Sequence, residues 1–393
     1  MRHIYLDHNA TSPLDPAVLD AMRPHLLAAG NAESRHAFGR SARRAVDAAR
    51  ASVASILNAD PSEVVFTSGG TEADNLAIFG LAEVGDGPRH VVVSPLEHPA
   101  VDAAIDRLQL FRFAVDRPKV GLDGVADPES MVAAMTSKTC LAALMLANNE
   151  TGAIQPVAKL ASLAAAKGVP VHCDAAQAVG RIEVDFRALG VATLAASAHK
   201  FQGPAGVGLL LVRRGVRLDP WIVGGGQQRG VRPGTMPVGL IVGLARALEI
   251  RHERLIEQAQ RWRSLRDRLE TLIRARLGTD RVVRHGPTDE ALRLPQTLNL
   301  AFPGVDGDAL LMQLDVAEVA ASLGSACASG STRPSPTLVA MGVPRMLLRS
   351  SVRFSLGPEA NQDLIDDAGR RIADAVDHVS KFDPDSAAAL AST

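Results

Sequence analysis

The chain has 393 residues, with 42 basic against 43 acidic side chains, a formal net charge of -1, 47% hydrophobic residues and 22% charged ones. That balance supplies a sizeable core and an ordinary polar surface, and it leaves no bulk field to draw nucleic acid or an anionic membrane. No apolar run is long enough to span a bilayer, and Met1-Arg-His-Ile-Tyr-Leu-Asp lacks the apolar stretch of a secretory leader, so a cytoplasmic protein is expected.

From about residue 60, short apolar runs alternate with helical patterns. Val64-Val-Phe-Thr67, Val91-Val-Val93, residues 141–146, Val169-Pro-Val-His172, Leu194-Ala-Ala196 and Gly208-Leu-Leu-Leu-Val212 predict buried strands. Amphipathic stretches at 100–110 and 156–167 lie between several of them, which argues for a largely parallel sheet covered on both faces. Residues 240–277 predict one long helical connector. Beyond it, strands at 297–302, 318–322 and 351–355 with helices at 307–314 and 359–379 suit a smaller α+β domain. The expected class is therefore α/β, with residues 15–255 as a large domain, and residues 1–14 plus 256–393 as a small domain packed against it across a cleft.

Three cysteines stand far apart with no CxxC spacing, which argues against a disulfide framework or a zinc knuckle. The histidines form no HExxH, so no metal is expected. Cys140 and Cys173 sit in strand-like apolar surroundings, where cysteine packs as a small hydrophobe. Cys327 lies instead in Ser322-Leu-Gly-Ser-Ala-Cys-Ala-Ser-Gly-Ser331, a run too small and polar for a core strand. Only its context reads as accessible.

Three further motifs carry chemistry. Thr67-Ser-Gly-Gly-Thr-Glu72 is a strand, a glycine turn and a helix start, where backbone amides and the helix dipole can hold an anion; an ordinary tight turn is the plain alternative. It is neither a Walker A loop nor GxGxxG, which disfavours nucleotide binding. Asp174 ends one predicted strand and Lys200 follows the next, in Ser197-Ala-His-Lys200, at the strand ends where open α/β sheets bind ligands. Lys200 could be a plain surface residue, the common case for lysine. Together with the anion turn, Asp174 and Lys200 match what pyridoxal phosphate (PLP) requires: an amine for its aldehyde, an acid for its pyridine nitrogen and a cup for its phosphate.

At this point the sequence resembles the cysteine desulfurases, in particular the NifS/IscS-like group I of the class V aminotransferase superfamily, nearly end to end. The resemblance is carried by Tyr5-Leu-Asp-His-Asn-Ala-Thr11, Phe66-Thr-Ser-Gly-Gly-Thr-Glu72, Glu97-His98, Asn148-Asn-Glu-Thr-Gly152 and His172-Cys-Asp-Ala-Ala-Gln177. It continues through Ser197-Ala-His-Lys200, Gly224-Gly-Gly226, Gly234-Thr235, Gly324-Ser-Ala-Cys327 and Val352-Arg-Phe-Ser-Leu-Gly357. It implies a PLP-dependent transferase of fold type I, like aspartate aminotransferase. Within it Lys200 would be the Schiff-base lysine, Asp174 the partner of the pyridine nitrogen and Gln177 a contact of the ring hydroxyl. His98 would stack on the ring and shuttle a proton. Gly70, Thr71, Ser197 and His199 would hold the phosphate, joined by Thr235 from a second subunit of a homodimer. Asn149, beside the cofactor, and Arg353 would hold the substrate carboxylate.

The implied activity is conversion of L-cysteine to L-alanine, with sulfur passed to Cys327 as a persulfide. An acceptor protein would then carry it toward iron–sulfur cluster assembly or tRNA thiolation. The small residues around Cys327 suit an arm that can move, and Arg333-Pro334 gives the segment after it a charge and stiffness unlike the family's usual pattern. Alternatives are a selenocysteine lyase or an aminotransferase of the same fold, which would not need Cys327 as an acceptor, and a scaffold that has lost the cofactor.

Overall fold

The computed structural model describes residues 3–82, 89–323 and 334–381. Cys327 lies outside the described residues. Twelve strands are found among them: β1 (Ile4–Tyr5), β2 (Val64–Thr67), β3 (His90–Val93), β4 (Ala114–Asp116), β5 (Thr139–Ala143), β6 (Val171–Asp174), β7 (Thr193–Ser197), β8 (Gly208–Val212), β9 (Val283–His285), β10 (Thr297–Ala301), β11 (Val319–Ala320) and β12 (Ser351–Ser355).

Seven strands form one sheet in the order β2-β8-β7-β6-β5-β3-β4. β8 runs antiparallel to both of its neighbours, while β7, β6, β5, β3 and β4 are parallel in turn. Six strands therefore share one direction and one is reversed. β2, β3, β6 and β7 are buried at every residue, which is why they read as unbroken apolar runs. Side chains still alternate between two cores. On β8, Leu210 joins the helices Gly70–Ala82 and Pro99–Leu110 on one face, while Leu209 and Leu211 face the helices Ala37–Ile56 and Val238–Glu253 on the other.

A third core brings the N-terminus and the C-terminal third together. Ile4 and Leu6 pack with Trp262, Leu269, Ile273, Leu298, Phe354, Ile365 and Ile372. Its strands are the antiparallel set β12-β10-β9 and the parallel pair β1-β11. The expected single connector over 240–277 is two helices, Val238–Glu253 and Leu255–Leu277, broken at Arg254 where φ is -111° and ψ 7°. The first buries Ile241, Leu244 and Leu248 against the large sheet, and the second turns Leu269 and Ile273 toward the other core. The strand expected over 141–146 begins earlier and ends at Ala143. Beyond it the chain keeps its bonds to β6, Leu144 N–H to His172 O at 3.1 Å and Leu146 N–H to Asp174 O at 2.8 Å, before turning into the site. No helix among the described residues is long and apolar enough to cross a membrane.

Candidate active site

Five strands of common direction, β2, β3, β5, β6 and β7, deliver their carboxyl ends to one place. The turns that follow them bring Gly70 and Thr71, His98, Asn149, Asp174 and Gln177, and Ser197, His199 and Lys200 around a cavity of about 240 Å³. This is the crevice where open α/β sheets bind ligands. Ala10, Asp74, Met145, Ala147 and Ala176 complete its wall. The expected cofactor residues are thus brought together with the exception of Thr235, which is exposed and does not line this cavity.

Lys200 sits in a short 3-10 turn, Ala198–Phe201, closed by Gln202 in the left-handed region at φ 65°. Its ammonium donates to the carbonyls of Asn9 at 2.7 Å and Ala10 at 2.8 Å. The N-terminal segment therefore crosses the mouth of the sheet to hold this amine. Asn9 is itself anchored on both sides. Its amide donates to Ser355 Oγ and its Nδ2 to Thr297 Oγ1, both at 2.9 Å, while Gln177 Nε2 donates to its carbonyl at 3.0 Å.

Arg181 was not singled out from the sequence, yet it organises this region. Buried at 3% exposure, it donates to Asn9 Oδ1 and the His8 carbonyl at 2.8 Å, to the Lys200 carbonyl at 3.1 Å, and to Gln177 Oε1. Burial, and then the nearby Arg353, lower its pKa to about 9. The only hint in the sequence is its position four residues after Gln177, which puts the two on one face of a helical turn.

On the opposite wall His98 caps the helix Pro99–Leu110, its Nδ1 accepting the Ala100 N–H at 3.1 Å. An Nδ1 that accepts carries no proton, so the neutral ring bears its hydrogen on Nε2. Asp174 Oδ1 accepts the Ala176 N–H at 2.8 Å, which fixes the carboxylate at the strand end. Behind it Asp74, at 1% exposure, bonds His172 Nε2 at 3.2 Å, and His172 Nδ1 meets Thr193 Oγ1 at 2.9 Å. Burial, and then the charges of Asp174 and Glu97, push the Asp74 carboxyl well up, while burial holds His172 near pKa 3 and so neutral. Ligand atoms of Asp74, His98 and Asp174 lie within 4.8 Å of one another.

His199 bonds Thr11 Oγ1 at 3.1 Å, and burial followed by the charges of Lys200 and Arg181 lowers its pKa to about 4. It is a neutral hydrogen-bonding group at the anion turn. The turn itself is braced by Glu72, which takes the Ser68 N–H at 2.6 Å and a bidentate Arg232 at 2.7 and 3.1 Å.

Arg353 lies deeper in the fold. It is 1% exposed and does not line the cavity. It lies behind Asn149, donating to that residue's carbonyl at 3.0 Å and to Asp7 Oδ1 at 2.7 Å, with its buried Nε left without a partner. Cys173 is fully buried, with a thiol pKa pushed well up by burial and then by Asp174, and Cys140 is half-buried on β5. Both are placed as packing residues.

The family model described as aminotransferase class-V matches residues 4–367. The chain is 39% identical to a cysteine desulfurase IscS of Pseudomonas putida (strain W619), over 97% of this chain and 94% of that protein. A solved structure titled NIFS-like protein superposes with a TM-score of 0.89 at 34% identity, covering 96% of this chain and all 100% of that one. A second, SspA in complex with cysteine, gives a TM-score of 0.78 at 30% identity, covering 90% of this chain and 99% of that one.

Proposed function

This chain belongs to the aminotransferase class-V family, and on that premise we propose that it is a PLP-dependent cysteine desulfurase. It converts L-cysteine to L-alanine and leaves the sulfur as a persulfide on Cys327. The observation that carries the reading is the convergence of Lys200, Asp174 and the start of the Gly70–Ala82 helix on one cavity. A primary amine, a carboxylate and an anion cup form the donor set that fits an aldehyde, a ring nitrogen and a phosphate. When bound, PLP supplies an electron sink for charge released at the substrate Cα.

The remaining work falls to the chain's own groups. Amides at Gly70 and Thr71, the Ser197 hydroxyl and neutral His199 hold the phosphate, with Thr235 of a second copy completing the cup. Asp174 accepts a hydrogen bond from the ring nitrogen and favours its protonated form. Gln177 Nε2, now on the Asn9 carbonyl, serves the ring oxygen. His98 would lie over the ring, with its hydrogen on Nε2. Asn149 and Arg353 hold the substrate carboxylate, the Arg353 Nε–H being a buried donor still without a partner.

Lys200, as its free amine, takes the Cα proton and gives it back to Cα as alanine forms. The Cys327 thiolate then attacks the substrate sulfur. An S–S bond forms, the Cβ–S bond breaks, and the electron pair goes to Cβ, which ends protonated as the methyl of alanine. The division at residues 15–255 places the cofactor residues in one domain, and the other carries the cysteine segment. A sulfur-acceptor protein then takes the persulfide sulfur, for iron–sulfur cluster assembly or tRNA thiolation.

Mass spectrometry after incubation with L-cysteine tests the reading. One added sulfur is expected on Cys327 of the wild-type chain, and Cys327→Ala keeps cofactor absorbance while losing sulfide release. Sulfur on Cys140 or Cys173 with none on Cys327, or full sulfide release by Cys327→Ala, would overturn it.

A further inference from the structure

The segment that holds Cys327 is entered from Ser322 and Leu323 and left at Pro334 and Ser335. Both roots are bonded to the same small region. Arg353 N–H donates to the Ser322 carbonyl at 2.6 Å, and Ser322 N–H donates back to the Arg353 carbonyl at 3.2 Å. At the other root the Ser335 hydroxyl donates to Glu150 Oε2 at 2.5 Å, and its oxygen accepts the Leu338 N–H at 3.1 Å. Ser335 and Glu150 are each 4% exposed.

Glu150 directly follows Asn149, whose carbonyl takes Arg353 Nη1 at 3.0 Å. The turn is stiff: Asn148 Oδ1 accepts the amides of Glu150 and Thr151, both at 2.9 Å, and Asn148 Nδ2 donates to the Leu96 carbonyl at 3.2 Å. Leu338, one turn beyond Ser335, packs on Leu96, Met341 and Val343. The path Ser322–Arg353–Asn149–Glu150–Ser335 therefore joins one root to the other through the two residues assigned to the substrate carboxylate.

We infer that Glu150 and Ser335 are positioning residues for sulfur transfer, fixing the C-terminal root of the cysteine segment to the turn that presents Asn149. The inference rests on the desulfurase reading. A buried carboxyl is costly unless it is paired, and the Glu150 carboxyl has its partners, the hydroxyls of Ser335 and Thr337, at this root. The helix cap alone would not require it, because capping uses the serine oxygen and not its hydrogen. The place of this root limits where the segment can bring the thiol to the substrate sulfur, and an error of about 1 Å in such a contact costs on the order of 100-fold in rate.

The test uses the full chain with its cofactor, comparing Ser335→Ala, Ser335→Thr and Glu150→Gln in steady state and in single-turnover persulfide formation. Ser335→Ala is expected to lower kcat at least about tenfold, with KM for L-cysteine and cofactor absorbance within about twofold of wild type. Ser335→Thr and Glu150→Gln keep a donor and an acceptor and should remain within about threefold. A wild-type kcat in Ser335→Ala, a loss confined to KM, or an equal loss in Ser335→Thr would overturn the inference. If Ser335→Ala does not fold, Ser335→Gly, which tolerates the cap position, is judged by the same criteria. A wild-type chain that forms no persulfide on Cys327 refutes the desulfurase reading itself. A wild type that forms it, beside an unimpaired Ser335→Ala, refutes only the positioning role.

Discussion

Gly208 begins the reversed strand β8 and stands opposite Thr67 on one side and Ser197 on the other. A methyl group there would lie 2.6 Å from the Gly69 carbonyl carbon, 2.7 Å from its Cα and 2.7 Å from the Ala196 oxygen. Ordinary carbon contacts lie at about 3.5–4.0 Å, so Gly208→Ala demands a shift of roughly 1 Å from backbone atoms that cannot rotate away. Overpacking of this kind costs about 1–3 kcal/mol, and the stiffer unfolded chain of alanine adds back the opposite effect, destabilising that chain by about 0.4–1 kcal/mol. A net loss of about 1–2 kcal/mol is expected. Ala196 is held in the β7–β8 ladder, so the Gly69–Gly70 turn is the side that yields, and the cup proposed for the phosphate moves with it. Each 1.4 kcal/mol lost in that cup weakens cofactor binding about tenfold. Titration of cofactor-free protein with PLP, followed by absorbance, should show a Kd raised about 5- to 30-fold, with a lower melting midpoint. A wild-type Kd would refute the argument that this glycine makes room for the cup, whether or not the midpoint fell.

Arg181→Lys keeps the charge but cannot span Asn9, His8, Gln177 and Lys200 together; it should cost about 3 kcal/mol in urea unfolding and release cofactor, and unchanged stability would refute the organising role. His172 has a folded pKa lowered from 6.5 to about 3 by burial. The unfolded chain therefore takes up this proton first: the stabilisation is complete above pH 6.5 and is lost as pH falls from 6.5 toward 3, by up to about 5 kcal/mol. Denaturant unfolding at several pH values should show a shallower acid loss in His172→Gln than in wild type. Asp74 and Asp174 are present in both proteins, so equal slopes would exclude the histidine as the source.

The strands flanking the site were legible because they are buried on both faces, and so their apolar runs had no competing explanation. β4, with two of three residues exposed, and the short β9 gave no such signal. Lys200 and Asp174 could be found because a charged residue directly after a buried strand has one place to go, the crevice. Arg181 could not, since an arginine in a turn looks like any surface cation until the N-terminal segment is seen folded across it. Asp74 is hidden in the same way: a carboxyl on an apolar helix gains meaning only from His172 and Asp174, about 100 residues away in the chain. Arg353 takes its placement from Asp7 and the Asn149 carbonyl, which no local pattern around residue 353 encodes.

Asn9 has a consequence for how the molecule can be divided. Its carbonyl holds the Lys200 amine, while its own amide and side chain hang from Ser355 and Thr297. The Lys200 amine of the seven-stranded part is thus held by a residue bonded to both parts, for Asn9 also takes Gln177 and Arg181 on its oxygens. The two halves are not exchangeable cassettes. A graft that brings the cofactor half from one relative and the cysteine-bearing half from another has to carry residues 7–11 with matched partners on both sides. Otherwise the lysine loses its resting place even though every residue expected to touch the cofactor is still present.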